Sequence, residues 1–249
     1  MKKPTGYVIY RGPSLLDGSP IVVVAITKES KNSKTGNIVQ TYILPDNGLS
    51  PVENAQNGSD AAVCGNCPHR RYHAGGVKGK KGACYVNLGQ GPSAVTGALL
   101  RGNYPEDIAA AARACAGRMV RLGSYGDPAA VPVWVWDLVL EFAAGNTGYS
   151  HQWQNPAFRD VMRYCMASAD SESDRVAAKA KGFRTFRIRK DNAPLMSGEF
   201  ACPAAKETGY RKTCAECGAC SGGIDSRKGD PVIIAHGSVR KYFALEVAA

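Results

Sequence analysis

Seven of the nine cysteines fall into two groups, Cys64, Cys67 and Cys84, and Cys202, Cys214, Cys217 and Cys220. Clustered thiols in a chain without a secretion signal read as metal ligands before disulfides. In the second group Cys214-Ala-Glu-Cys217-Gly-Ala-Cys220 sets three thiols at successive intervals of three, with Cys202-Pro203 upstream. Zinc sites pair two knuckles, because one tight turn offers two thiolates to a tetrahedral ion. A cubane is wider and takes each cysteine on a different iron, so C-x2-C-x2-C with a remote Cys-Pro is its spacing. The pattern favours a [4Fe–4S] cluster with four protein ligands, with zinc as the alternative that would only staple the loop.

The first group is Cys64-Gly-Asn-Cys67, then Cys84 after an insert carrying His69, Arg70, Arg71, His73, Lys78, Lys80 and Lys81, with no acidic residue from Val63 to Tyr85. Two readings compete. With His69 or His73 as fourth ligand it is a Cys3His zinc site. Without histidine it is a three-thiolate cubane with one iron open to a substrate or cofactor, its negative charge offset by the basic insert. Cys115 and Cys165 sit in apolar segments and are expected to be buried and unligated.

The elements that must carry these groups follow from the apolar pattern. Short β-rich runs at Gly6–Tyr10, Ile21–Thr27 and Ile38–Leu44 flank the polar stretch Lys31–Asn37, and the second and third read as a hairpin. Strands are predicted at Gln40–Pro45, Met119–Ser124, Gly148–Gln152, Tyr164–Ala169, Phe183–Arg189 and Val232–His236, and helices at Pro105–Gly117, Val131–Ala144, Pro156–Met162 and Ser171–Lys181. Such alternation implies a parallel sheet, because parallel neighbours need long crossovers. Six β/α units predict a partial (β/α)6 barrel-like parallel sheet with an N-terminal β-hairpin extension and two cysteine-cluster loops; a doubly wound open sheet is the runner-up. One domain is expected: a β-rich extension and first strand over 1–60, the first cysteine loop over 61–92, and β/α repeats over 93–249 that include the second cysteine loop, 200–223.

Chemistry in such folds gathers at the carboxyl ends of the strands. Those ends carry Ser124, Tyr125 and Asp127; His151 and Gln152; Ser168 and Asp170; and His236, while Arg187 and Arg189 share a face of the fifth strand. Asp127, His151, Asp170 and Arg187 are the candidate catalytic residues, although Asp127 before Pro128 and Asp170 before Ser171 also suit helix N-caps. Gly89-Gln90-Gly91-Pro92-Ser93 opens a helix, either as an anion cradle or as an ordinary start capped by Ser93.

The formal net charge of +10 is uneven: +6 over residues 1–100, −1 over 101–170 and +5 over 171–249. Basic flanks around the cysteine groups suit an anionic small molecule or nucleic acid. No apolar run reaches the roughly 20 residues of a membrane span, and Met1–Tyr10 is too short for a signal core, so a cytoplasmic protein without membrane partners is expected.

Cys64-x2-Cys67, Cys84-Tyr85-Val86-Asn87, Leu122-Gly123-Ser124-Tyr125-Gly126-Asp127-Pro128 and Cys202-Pro203 with Cys214-x2-Cys217-x2-Cys220 together resemble an uncharacterised family of phage and prophage proteins. At one remove the layout is similar to radical S-adenosylmethionine (SAM) enzymes, although their usual C-x3-C-x2-C motif is replaced here by C-x2-C-x16-C. The resemblance implies a six-unit barrel, a catalytic cluster on Cys64, Cys67 and Cys84 that binds SAM and reduces it to a 5′-deoxyadenosyl radical, and an auxiliary cluster near the C-terminus. It implies SAM contacts from Gly89, Gly91 and Ser124, and a phage-encoded protein in the cytoplasm of a bacterial host. The competing reading is a zinc-stabilised, non-enzymatic nucleic-acid-binding protein in which Lys78, Lys80, Lys81, Arg211 and Lys212 contact phosphates. No nucleophile-elbow signature supports a hydrolase.

Overall fold

The computed structural model describes residues 3–29, 34–190, 193–222, 229–237 and 240–246. Residues 31–33 of the polar stretch and residue 223 of the second cysteine loop lie outside them. The chain opens as an antiparallel meander, β1 (Gly6–Pro13), β2 (Pro20–Ile26) and β3 (Val39–Pro45). Ile21, Val22, Val23, Val24 and Ala25 have no exposed surface. A β-branched run of this kind suits a strand covered on both faces.

Between β3 and the next strand come α1 (Pro51–Asn57), α2 (Ala61–Cys64), α3 (Gly91–Leu100) and α4 (Ile108–Cys115). Ser50 and Glu53 form a capping box on α1, and Gly58 ends it in the left-handed region, φ 91°. β4 (Met119–Tyr125) lies parallel to β3, then α5 (Val133–Leu140) returns the chain to β5 (Gly145–Thr147), parallel to β4. Trp136 of α5 is fully buried and donates its indole N–H to the Pro128 carbonyl at 3.1 Å.

A second sheet starts one residue later with β6 (Tyr149–Ser150), followed by β7 (Met166–Ala169), α6 (Glu172–Ala180), β8 (Thr185–Arg189), β9 (Glu199–Ala201), α7 (Cys214–Cys217), β10 (Asp230–Ile234) and α8 (Arg240–Glu246). The sheet is parallel throughout, in the order β6-β7-β8-β10-β9. The protein is thus mixed α/β, with hairpin strands at one end and parallel strands beyond. Within each sheet the spatial order follows the chain, except that β9 lies beyond β10 at the far edge. Gly148 divides β5 from β6; its N–H donates to the Cys220 carbonyl, and its own carbonyl accepts from Met166 N–H. A Cβ there would stand 2.8 Å from Cys165 Sγ, so a side chain would wedge the sheet apart.

Several boundaries differ from expectation. The helix predicted from Pro105 starts at Ile108, because Asp107 caps it by accepting from Ala110 N–H. Pro156–Arg163 is 3-10 rather than α. α3 starts at Gly91 rather than after a Ser93 cap; Ser93 lies within the helix and donates to the Leu88 carbonyl at 2.7 Å. His151 and Gln152, placed at the end of a strand, stand just beyond β6.

Arg187 departs furthest from its expected role. It is 2% exposed and forks onto Glu199, with Nε to Oε1 at 2.7 Å and Nη2 to Oε2 at 2.6 Å, tying β8 to β9. Burial alone would raise the Glu199 pKa, yet the hydrogen bonds and charge of Arg187 hold it below the ordinary carboxylate value. A carboxyl depressed on folding stabilises the protein above its unfolded pKa and loses that contribution as pH falls through the folded pKa. Glu199→Gln should therefore melt several degrees lower near neutrality, with the gap to wild type closing as melts are repeated below about pH 4.

Candidate metal and cofactor site

At the carboxyl ends of the parallel strands lies a cavity of about 200 Å³, and all seven clustered cysteines line it. Strand residues reach it from β4 at Arg121, Gly123, Ser124 and Tyr125, from β8 with period two at Phe186 and Ile188, and from Thr147 and Tyr149 on either side of Gly148. Parity explains the correction at Arg187. Between inward-facing Phe186 and Ile188, it belongs to the other face.

Short backbone ties build the first group. Cys67 N–H donates to the Cys64 carbonyl at 3.1 Å and Cys84 N–H to the His69 carbonyl at 2.9 Å. Arg70, 5% exposed, pairs with buried Asp60 and donates to the Gly58 and Gly65 carbonyls, while Arg71 donates to the carbonyls of Cys84 and Val86. These two arginines therefore frame the loop, and of the insert's basic side chains the three lysines are the exposed ones. The polypeptide passes so close to itself that a Cβ on Gly82 would lie 2.2 Å from the Arg70 carbonyl oxygen.

The second group has its own frame. Thr213 and Glu216 form a capping box on α7 that presents Cys214 and Cys217 one turn apart. Arg184, 1% exposed at the start of β8, donates to the carbonyls of Ala219 (2.8 Å), Gly222 (3.2 Å) and Gly229 (2.7 Å). Hydrogen bonds from a charged donor are each worth about 1.5–3 kcal/mol. Arg184→Met keeps the bulk and removes the donors, so metal analysis should find the second group depleted and the first retained.

The sulfurs are arranged as acceptors. Cys67, Cys84 and Cys202 each take a backbone N–H from two residues on, His69, Val86 and Ala204, and Cys220 takes the Tyr149 hydroxyl. Burial, with the charge of neighbouring thiolates, pushes Cys64 and Cys67 well up, and Cys220 up to about 12. Thiols that raise one another in this way are stable as thiolates only beside a cation. Cys115 and Cys165 have no exposed surface and lie outside the cavity, and burial pushes Cys115 up to about 11.

The other candidates divide. Asp127 lines the cavity but its oxygens are already engaged, accepting from Ala129 N–H and His151 N–H at 2.9 Å each and from the Ser150 hydroxyl. Asp170 accepts from two imidazoles, Oδ1 with His69 Nε2 at 2.8 Å and Oδ2 with His151 Nε2 at 3.1 Å. Burial opposes its charge, and the two histidines hold its pKa well below the carboxylate range. His73 faces the Gln56 carbonyl at 3.0 Å. Gly89 and Gly91 lie outside the cavity lining, and at Gly91 a Cβ would meet the Tyr42 hydroxyl at 3.0 Å. Ser124 lines it, and its Oγ, the Tyr125 hydroxyl and the Thr147 hydroxyl are buried without hydrogen-bond partners in the protein. Tyr125 and Thr147 are 4% and 2% exposed.

Sequence reasoning missed Arg121 and Tyr149. Arg121 donates to the Tyr85 hydroxyl at 2.8 Å, and the charges of Tyr85, Tyr149, Cys214 and Cys220 raise its pKa. Its signal was an arginine interrupting an apolar strand. Comparison with family models, curated proteins and solved structures finds no match for the chain. Among the described residues, no helix is long and apolar enough to cross a membrane.

Proposed function

We propose that the protein is an iron-sulfur enzyme of radical-SAM-like design, acting on an anionic substrate such as a nucleotide or nucleic acid. The observation that carries this reading is the gathering of a three-cysteine and a four-cysteine group on one cavity. Cys64, Cys67 and Cys84 would hold a cluster with one iron open, and Cys202, Cys214, Cys217 and Cys220 a fully ligated one.

When bound, a SAM-cluster pair supplies one-electron cleavage of a carbon–sulfur bond. The chain's own residues hold and shield. The unpartnered Ser124, Tyr125 and Thr147 hydroxyls suit a polar ligand, and Val86, Phe186, Ile188, Ile233 and Phe243 exclude water from it. Among the described residues, Lys34, Arg121 and Arg240 face the cavity against the single carboxylate of Asp127, a balance that suits an anion. Anaerobic purification with an absorption spectrum and iron, sulfide and zinc analysis tests the reading. Iron and sulfide in equal amounts, with saturable SAM binding, are expected. Zinc alone would refute it and favour the nucleic-acid-binding alternative.

A further inference from the structure

Three donors stand apart from the thiols. His69 comes from the first cysteine loop, His151 from just after β6 and Asp170 from just after β7. Their ligand atoms all lie within 4.8 Å of one another, the only such trio of histidine, cysteine or carboxylate groups among the described residues. We propose that His69, His151 and Asp170 bind a divalent first-row transition-metal ion through two imidazoles and a carboxylate.

Distances fit the assignment. Bonds of about 2.1 Å to nitrogen and oxygen, at right angles, put adjacent donor atoms about 3.0 Å apart. The two imidazole–carboxylate distances are 2.8 and 3.1 Å. Because each carboxylate oxygen faces a different imidazole, Asp170 is oriented to chelate with both. Two histidines and one carboxylate leave coordination positions open, the arrangement of sites at which an ion meets a substrate or water.

The surroundings supply rigidity and access. Asp127 fixes His151 through its backbone N–H, Asp174 Oδ2 accepts from Asp170 N–H at 3.2 Å, and the Phe243 ring lies 5.8 Å from that of His69. Anchored ligands of this kind raise metal affinity. The trio forms the wall between two spaces: His69 and His151 face the cysteine cavity, while His151 and Asp170 face a polar cleft with Asn66, Gln152 and Asp174. An ion there would be reachable from the cleft without passing the thiols. The assignment rests on nitrogen and oxygen donors and is independent of what the cysteines hold.

Mn(II) is the probe, since thiolates compete poorly for it. The anaerobically purified full chain, its cysteine groups as isolated, should take up one Mn(II), read as loss of the free-ion electron paramagnetic resonance signal. The bound ion should carry imidazole nitrogen couplings in the electron spin echo. His151→Gln and Asp170→Asn should each weaken binding at least about tenfold, and Cys214→Ser should leave it unchanged. Absence of saturable uptake, bound Mn(II) without nitrogen coupling, or wild-type affinity in His151→Gln would overturn the site and leave a carboxylate that only hydrogen-bonds two imidazoles. Should Asp170→Asn fail to fold, the wild-type nitrogen coupling and His151→Gln still decide.

Discussion

Purified without oxygen, Cys67→Ala is expected to lose about half of its iron and sulfide, the share of one cubane in two, and all of its SAM binding. Cys217→Ala should lose the other half and keep SAM binding. The expectation of independence comes from the frames. Arg70 and Arg71 hold the first loop through carbonyls of its own vicinity, whereas Arg184 and the Thr213–Glu216 capping box hold the second. Among the described residues, neither frame donates to the other loop. Metal and sulfide analysis of the two variants beside wild type is the measurement. If either substitution strips the protein of all its iron, the seven thiols serve one centre and the assignment of two fails.

Asp60→Ala should be strongly damaging although it replaces no cysteine. Asp60 and Arg70 are 4% and 5% exposed and face each other inside the first loop. Removing one partner of a buried pair costs about 3–5 kcal/mol, because the remaining charge keeps its desolvation penalty. In a chain of this size that corresponds to a fall in Tm on the order of 10 °C. The double variant Asp60→Ala/Arg70→Met removes both charges and should recover part of the loss. Scanning calorimetry of the apoprotein measures both. A double variant melting below Asp60→Ala would show that Arg70 matters through its bonds to Gly58 and Gly65 rather than through charge.

What could be read from the sequence was local. The run from Cys214 to Cys220 fixes its geometry within two turns of chain, so its grouping was visible, and period-two apolar runs marked the strands in nearly their final order. Roles that depend on distant backbone were not visible. Nothing around Arg184 announces that carbonyls at 219, 222 and 229 will converge on it. Arg187 was misplaced for a smaller reason, since a strand's period gives two faces and the apolar neighbours did not say which one turns inward. Gly89 and Gly91 looked like a cradle because glycine allows close approach; at Gly91 the group that comes close is the Tyr42 hydroxyl. His69 was weighed as a ligand beside the cysteines; its contact with Asp170, 101 residues away, required the parallel order of β3 to β7 to be known.

The order of assembly follows from Gly148, where one sheet hands over to the next. Everything that frames Cys64, Cys67 and Cys84 from the N-terminal side precedes that glycine, and everything that covers them from the other side follows it. More than a hundred residues separate Cys84 from Cys202, and at about 5–20 residues per second a ribosome needs roughly ten seconds to make them. For that interval three thiols wait on a half-finished wall. On the proposed iron-sulfur reading, their maturation is a race between metal delivery and oxidation, and the second half of the chain closes over whichever has won.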